Sequence, residues 1–156
     1  MALKLTTGTF ESTLDDKGRV VIPSSLREHY PGELVITKGS GFCACIMTSK
    51  NYEIFLRNFK EKVSSLNSDL YEAFEHQYVT PAQEVEIDQK TGRIPVPATI
   101  RTYARLSKDC LILSFFGRLE IWSAEAYRAC EQEIQQKARE AMQKLGPVHF
   151  FPKEGI

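Results

Sequence analysis

The hydrophobic and polar positions of this chain alternate in short segments separated by glycine and proline, a pattern typical of β-strands joined by turns. The alternation predicts strands over residues 9–14, 19–22, 33–37, 43–47, 83–87, 109–115 and 118–122. Short helices are predicted over residues 24–30 and 98–106. The pattern therefore predicts an α+β fold built from two repeated ββαββ halves.

Each half is followed by a region with helical periodicity. Tyr52, Phe55 and Phe59 recur every three or four residues, which predicts a helix over about 50–63 with Ser49 as its cap. We interpret this aromatic stripe as packing within the core or between helices rather than as a ligand site. The same apolar stripe would also suit an oligomer surface, because a monomer core and an interface use the same residue types.

Two further helices are predicted from similar signals. One covers residues 69–78, after a polar break in the chain. The other is long: Ser123 caps it, and it runs from residue 124 to about 145, where Gly146 and a proline end it.

The two halves carry matching residues at a constant spacing of 74 positions. Gly18, Arg19, Pro23 and Arg27 recur as Gly92, Arg93, Pro97 and Arg101. Four matches at one spacing indicate an internal duplication. The chain is accordingly divided into a first repeat with a helical pair over 1–80, a second repeat with a long helix over 81–146, and a tail over 147–156.

Composition limits the classes of partner. The chain has 156 residues, of which 42% are hydrophobic and 26% charged, and its formal net charge is zero. A neutral chain has no overall field that would attract nucleic acid, so any polyanion binding must come from locally clustered lysine and arginine. The sequence has neither a signal peptide nor an apolar run of membrane-spanning length, and we expect a cytoplasmic protein without a membrane partner.

The residue types for metal or covalent chemistry are scattered. Four cysteines are present, and the Cys43–Cys45 spacing is not that of a metal knuckle. Alternation places both of these side chains on one strand face, where ordinary thiols of a reducing compartment are expected. No histidine or cysteine lies near the acidic residues of the repeated turns, and no phosphate-binding glycine loop or nucleophile elbow occurs. We expect no enzyme activity, no metal, no cofactor and no small-molecule ligand.

The repeated turn is the main candidate for function. In the first half, residues 9–14 and 19–22 flank it and are predicted to pair as a hairpin with Lys17 and Arg19 at its tip. Lys90 and Arg93 provide the equivalent charges in the second half. A two-stranded ribbon fits the major groove of DNA, where arginine can donate twice to guanine.

The acidic residues of the turns support two interpretations. Asp15 and Asp88 can orient the arginines across their loops through charge-assisted hydrogen bonds. The same pairs can equally be structural locks of a tight turn, and duplication would copy a lock as readily as a DNA contact. Arg27 and Arg101, on the short helices, are candidate phosphate contacts, with helix-face salt bridges as the alternative.

These residues resemble a known family. Asp-x-x-Gly-Arg, followed by two apolar residues, Ile-Pro and a Leu-Arg helix, stands in the first half and returns with changes in the second. The segment 119–123, Leu-Glu-Ile-Trp-Ser, precedes the long helix. From about residue 8 to residue 145 the chain is similar to the MraZ family.

The resemblance implies both a fold and a function. MraZ proteins are bacterial transcriptional regulators of the division and cell-wall gene cluster that includes their own gene. Their halves resemble the swapped-hairpin barrel of AbrB and MazE, and they form homo-oligomeric rings. The implied partner is therefore double-stranded DNA with repeated short sites in a promoter, and the implied location is the cytoplasm, at the nucleoid. The residues carried over as DNA contacts are Asp15, Lys17, Gly18, Arg19, Asp88, Lys90, Gly92 and Arg93.

Two departures weaken the second loop. Four residues separate Asp88 from Arg93 because Thr91 is extra, and it can displace either side chain of the pair. Pro95 stands where the first half has Val21 and removes a ladder donor, which predicts an edge strand or a bulge. MazE resemblance also leaves open an antidote-like or scaffold module that binds protein through its helices.

Overall fold

The computed structural model describes residues 7–146, which form strands and helices in the predicted order. The strands are β1 Gly8–Thr13, β2 Arg19–Val21, β3 Leu34–Lys38, β4 Cys43–Thr48, β5 Gln83–Val85, β6 Arg93–Pro95, β7 Asp109–Phe115 and β8 Arg118–Ser123. The helices are α1 Ser24–Arg27, α2 Ser49–Val63, α3 Ser68–Phe74, α4 Ala98–Ala104 and α5 Ala124–Leu145. A π-helical turn, Glu75–Val79, extends α3. The predicted α+β class with two halves is confirmed.

The strands form an antiparallel sheet to which both halves contribute. Its order is β1-β7-β8-β4-β3-β5, and β2 and β6 form a separate two-stranded ribbon. The first strand of each half pairs with the other half, β1 with β7 and β5 with β3. The large sheet is open, so the closed barrel that the resemblance implies is not confirmed. The division at residues 80 and 146 remains a prediction, and the tail over 147–156 lies outside the described residues.

The predicted hairpin of the first half is correct only at its tip. Leu14 and Val20 form a single antiparallel bridge, while β1 runs along β7 and β2 runs along β6. Val20 lies opposite Ile94 in the β2–β6 ribbon, and both side chains are fully buried. Pairing β2 with β6, the equivalent strand of the second half, brings these two β-branched residues together in the core. This explains why the hairpin pairing of β1 with β2 does not continue beyond the turn.

The β2–β6 ribbon has an internal two-fold relation. Its register pairs Arg19 with Pro95 and Val21 with Arg93. Arg19 and Arg93 are equivalent positions of the two halves, 74 residues apart, and so are Val21 and Pro95. Exchanging the halves therefore converts each pair into the other, and a local two-fold axis passes beside Val20 and Ile94. Because the two repeated turns precede β2 and β6, this axis places them side by side. Pro95 lies in a strand with one pairing partner, as predicted.

The sheet has apolar residues on both faces. One face of the sheet packs against the ribbon and the short helices α1 and α4, and together they form the main core. The sheet contributes Ile36, Ile46, Ile112 and Ile121 to it. The alternate residues, including Cys43, Leu111 and Trp122, face the longer helices. Val85 and Ile87 pack into the main core as predicted.

The predicted helices are confirmed with small changes at their ends. The Thr48 hydroxyl, rather than Ser49, caps α2 by accepting the Asn51 amide at 3.2 Å. The Ser123 hydroxyl caps α5 as predicted. Phe59 contacts Phe74, with their ring centroids 4.7 Å apart, so the aromatic stripe packs α2 against α3 as expected. Among the described residues, no helix is long and apolar enough to cross a membrane.

The long helix α5 leaves the rest of the molecule soon after it begins. Ala124 is buried, but the residues from Glu131 to Lys144 are exposed. Ile134 and Leu145 are 42% and 59% exposed. Most of α5 therefore presents both charged and apolar side chains to solvent.

Candidate nucleic-acid interface

The first repeated turn, loop 1 (residues 15–19), is organised by the Asp15 carboxylate. One carboxylate oxygen accepts the amide protons of Lys17 at 3.0 Å and Arg19 at 2.8 Å. The other accepts the Nε proton of Arg19 at 2.9 Å. The Asp15 amide also donates to the Arg19 carbonyl, and Gly18 has a φ of 79°. Asp15 thus fixes both the backbone of the loop and the direction of the Arg19 side chain.

The second repeated turn, loop 2 (residues 88–93), has the same backbone closure but different side-chain contacts. The Asp88 carboxylate accepts the amides of Lys90 at 2.9 Å and Thr91 at 3.3 Å. The Arg93 amide donates to the Thr91 hydroxyl at 3.4 Å instead of to an aspartate. The extra residue therefore replaces the carboxylate at the arginine amide, and the expected Asp88–Arg93 pairing is not the one that forms.

Arg93 instead crosses to loop 1. Its Nε lies 3.4 Å from the same Asp15 oxygen that pairs with Arg19. The Arg93 contact is an ion pair without a hydrogen bond, because the buried Nε has no hydrogen-bond partner among the described residues. Asp15 therefore holds both arginines, Arg19 more tightly than Arg93. Each of the two arginine side chains is 36% exposed.

Backbone hydrogen bonds join the two loops reciprocally. The Ile22 amide donates to the Gly92 carbonyl at 2.8 Å, and the Val96 amide donates to the Gly18 carbonyl at 2.9 Å. Ile22 and Val96 are equivalent positions of the two halves, 74 residues apart, and so are Gly18 and Gly92, so the two hydrogen bonds are equivalent to each other. The loops are consequently one rigid unit rather than two independent tips.

Arg27 and Arg101 lie behind the loops. The Arg27 Nε donates to the Ile22 carbonyl at 2.7 Å, and the Arg101 Nη1 donates to the Val96 carbonyl, the equivalent acceptor in the second half. A Cβ on Gly92 would overlap the Arg27 guanidinium, and one on Gly18 would overlap that of Arg101. Both arginines thus hydrogen-bond to backbone carbonyls, and their role as phosphate contacts, like the alternative of helix-face salt bridges, remains a prediction.

The remaining charged residues of the loops face solvent. Asp16, Lys17, Asp88 and Lys90 are exposed. Lys17 and Lys90 therefore add accessible positive charge to the two loops that carry the paired arginines. The sequence analysis named Lys17, Asp88 and Lys90. It missed that Arg19 and Arg93 share Asp15, and that Arg101 and Arg27 pack against Gly18 and Gly92. The packing of arginines against glycines had one signal in the sequence, because the glycines and the arginines both recur at the constant spacing of 74 residues.

The pKa of the Asp15 carboxyl is expected to lie below its ordinary value of 3.8, chiefly because the Arg19 amide donates to it and also because the Arg19 guanidinium does. A lowered pKa means that the loop contacts stabilise the fold above about pH 3.8, and that this stabilisation is lost as the pH falls through the lower folded value. Titration of the carboxyl by NMR tests this. In an Arg19→Ala variant part of the lowering should persist, because the backbone amides of residues 17 and 19 still donate to the carboxylate, and a full return to 3.8 would contradict the assignment.

The four cysteines are free thiols, and three of them are buried. Cys43, Cys45 and Cys110 are buried thiols. Burial raises the pKa of Cys45 to about 12 and that of Cys110 to about 11, and the Glu120 carboxylate adds to the effect at Cys45. Thiols of this kind are poor nucleophiles at neutral pH. Within residues 7–146, no three histidine, cysteine, aspartate or glutamate side chains are grouped so as to hold a metal ion.

Comparison with known proteins agrees with the duplication. The family model described as "MraZ protein, putative antitoxin-like" matches residues 5–70 and again residues 79–145. A protein of Treponema denticola named transcriptional regulator MraZ is 35% identical over 145 residues, covering 92% of this chain and 99% of the relative. Proteins of the same name are 34% identical in Symbiobacterium thermophilum, over 89% of this chain and 99% of the relative, and 35% identical in Thermoanaerobacter, over 92% and 98%.

Proposed function

The chain belongs to the MraZ family, and from this premise we propose that it is a sequence-specific DNA-binding transcriptional repressor that contacts DNA through loops 1 and 2. The proposed target is the bacterial division and cell-wall gene cluster that includes its own gene. The observation that carries the proposal is the single Asp15 oxygen that lies within ion-pair distance of both Arg19 and Arg93.

This arrangement suits base recognition. Asp15 contacts each arginine through Nε, so the pair of Nη groups at the end of each guanidinium is left for another acceptor. Such a pair can donate to O6 and N7 of one guanine in the major groove. Two guanidinium groups close enough to share an oxygen match neighbouring bases, which stack about 3.4 Å apart. Loops 1 and 2 would then enter the groove together and contact adjacent base pairs.

The surrounding charges suit the DNA backbone. Lys17 and Lys90 are exposed in the same loops as the arginines and would neutralise phosphates. Arg27 and Arg101 are half-buried behind the loops, where they would hold the glycines and approach phosphate from the rim. Because the chain carries no net charge, its affinity for DNA would depend on this local cluster.

Repetition of the site would compensate for its small size. We propose that copies assemble into a homo-oligomeric ring whose loops meet repeated short sites in a promoter, which raises the effective concentration at each site. The exposed apolar residues of α5, Ile134, Met142 and Leu145, supply surface for such contacts. The proposed location is the cytoplasm, at the nucleoid.

The salt dependence of DNA binding tests the proposal. Duplex DNA from upstream of the chain's own gene should bind in a fluorescence-anisotropy titration, with an affinity that falls as potassium chloride is raised, because phosphate neutralisation releases counterions. A scrambled duplex of equal length is the control and should bind at least about 1,000-fold more weakly. Equal affinity for both duplexes, or no dependence on salt, would contradict the proposal.

A protein-binding role is the alternative function, and the exposed face of α5 is the observation that favours it. An antidote-like or scaffold module would use that face for a different protein. Pull-down of one stoichiometric protein partner, together with no binding to the upstream duplex, would favour this alternative. An enzyme is not proposed, because the relatives of this chain are named transcriptional regulators.

A further inference from the structure

A half-open cavity lies between the sheet and the helical pair, on the opposite face of the sheet from the main core. Its volume is about 350 Å³. This is within the range of small-molecule sites. Its floor includes Cys45 and Met47 of β4, and its roof includes the aromatic rings of Phe55, Phe74 and Tyr78. The cavity uses none of the residues of loops 1 and 2.

The roof is a connected aromatic layer. The rings of Phe55 and Phe74 are stacked with centroids 6.4 Å apart, and Tyr78 meets Phe74 edge-on at 4.7 Å. Tyr78 belongs to the π-helical turn, and turns of this kind are frequent at functional sites. The buried Thr37 hydroxyl donates to the Tyr78 carbonyl at 2.7 Å, so the turn is fastened to the sheet. The roof is therefore held at a fixed distance above the floor.

An ion pair between Arg118 and Glu120 lines the cavity. Glu120 is buried, and its two oxygens accept from the Trp122 Nε1 at 2.9 Å and from the Arg118 Nε at 3.0 Å. These hydrogen bonds offset the cost of burying the Glu120 carboxylate. Arg118 donates to Glu120 through Nε. The N–H groups of its two Nη atoms are therefore not the donors in this ion pair. Lys38 also borders the cavity, but its Nζ lies 5.1 Å from the centroid of the Tyr103 ring of α4, so its charge is directed elsewhere.

We propose that this cavity binds a small apolar anion, such as an aromatic or branched aliphatic carboxylate. The apolar body would lie between the aromatic roof and the sulfur-containing floor, and the acidic group would accept from Arg118. An uncharged apolar compound would fill the same space without using this cation. The proposal is independent of DNA binding, because it rests on residues of β3, β4, β8 and the helical pair.

Titration of the full chain with two fluorescent probes tests the site. The anionic probe is 8-anilinonaphthalene-1-sulfonate, and the uncharged probe is N-phenyl-1-naphthylamine, which has the same rings without the sulfonate. In Arg118→Gln the anionic probe should bind about tenfold more weakly, since a hydrogen bond between charged groups is lost. The uncharged probe should bind that variant as it binds the original chain. Glutamine keeps a donor for Glu120, so the fold is expected to be retained.

Two further variants locate the probe. Arg57→Gln removes an exposed arginine from α2 and should change neither affinity by more than about twofold. Cys45→Leu narrows the floor and should weaken both probes, with circular dichroism confirming that the variant is folded. A folded protein that gives no saturable fluorescence increase would overturn the proposal. Saturable binding that is equal in the Arg118 and Arg57 variants would also overturn it, because the probe would then lie elsewhere.

Discussion

Arg19→Ala and Arg93→Ala are each expected to weaken binding to the specific duplex by about 10- to 100-fold, the usual cost of removing a bidentate contact to a guanine. The double variant should lose less than the product of the single losses. Both side chains lie against one oxygen of Asp15, so removing one arginine already disturbs the orientation of the other. Fluorescence anisotropy at one fixed salt concentration gives the three affinities.

The matched control for this cycle is Arg57→Ala, which removes an exposed arginine of α2 away from the loops and should leave the affinity within about twofold. Size-exclusion chromatography shows whether each variant retains its assembly state. Strictly multiplicative losses would contradict the shared role of Asp15. Loss of the fold in Arg19→Ala would instead support the interpretation of the Asp15–Arg19 pair as a structural lock.

The duplication made much of the fold predictable. Alternation over residues such as Val85 and Ile87 indicated the buried positions, and the constant spacing of 74 indicated two similar halves. Pairing between halves was not predictable in the same way. Local turn signals favour pairing of neighbouring strands, whereas β2 pairs with β6 because that brings Val20 and Ile94 into the core together.

The candidate site was predictable in its members but not in its contacts. Asp15 and Arg19 are four residues apart within one turn, so their pairing could be inferred from local geometry. The Arg93 contact to Asp15 joins residues of different halves, and it depends on the register of the ribbon. Thr91 was recognised as an extra residue, but its hydroxyl acting in place of a carboxylate follows only from the folded loop.

Gly18→Ala and Gly92→Ala are expected to destabilise the protein by about 2–4 kcal/mol each, lowering the melting temperature by several degrees. Two effects contribute. Each glycine has a positive φ, 79° and 71°, where an alanine costs roughly 1–2 kcal/mol. Each added Cβ would also displace the guanidinium of Arg101 or Arg27 that packs on the glycine, and that guanidinium would lose its hydrogen bond to a backbone carbonyl. Thermal unfolding followed by circular dichroism measures the change.

Gly32→Ala separates these two effects, because Gly32 has a φ of 67° with nothing within 4 Å of an added Cβ. It should lose only the backbone part, roughly 1–2 kcal/mol. In an Arg101→Ala background, the cost of Gly18→Ala should fall to that of Gly32→Ala, since no guanidinium is left to displace. An unchanged cost in that background would show that Arg101 does not support loop 1. Loop 1 would then be held against loop 2 by the reciprocal backbone hydrogen bonds of Ile22 and Val96 and by the contact of Arg93 with Asp15.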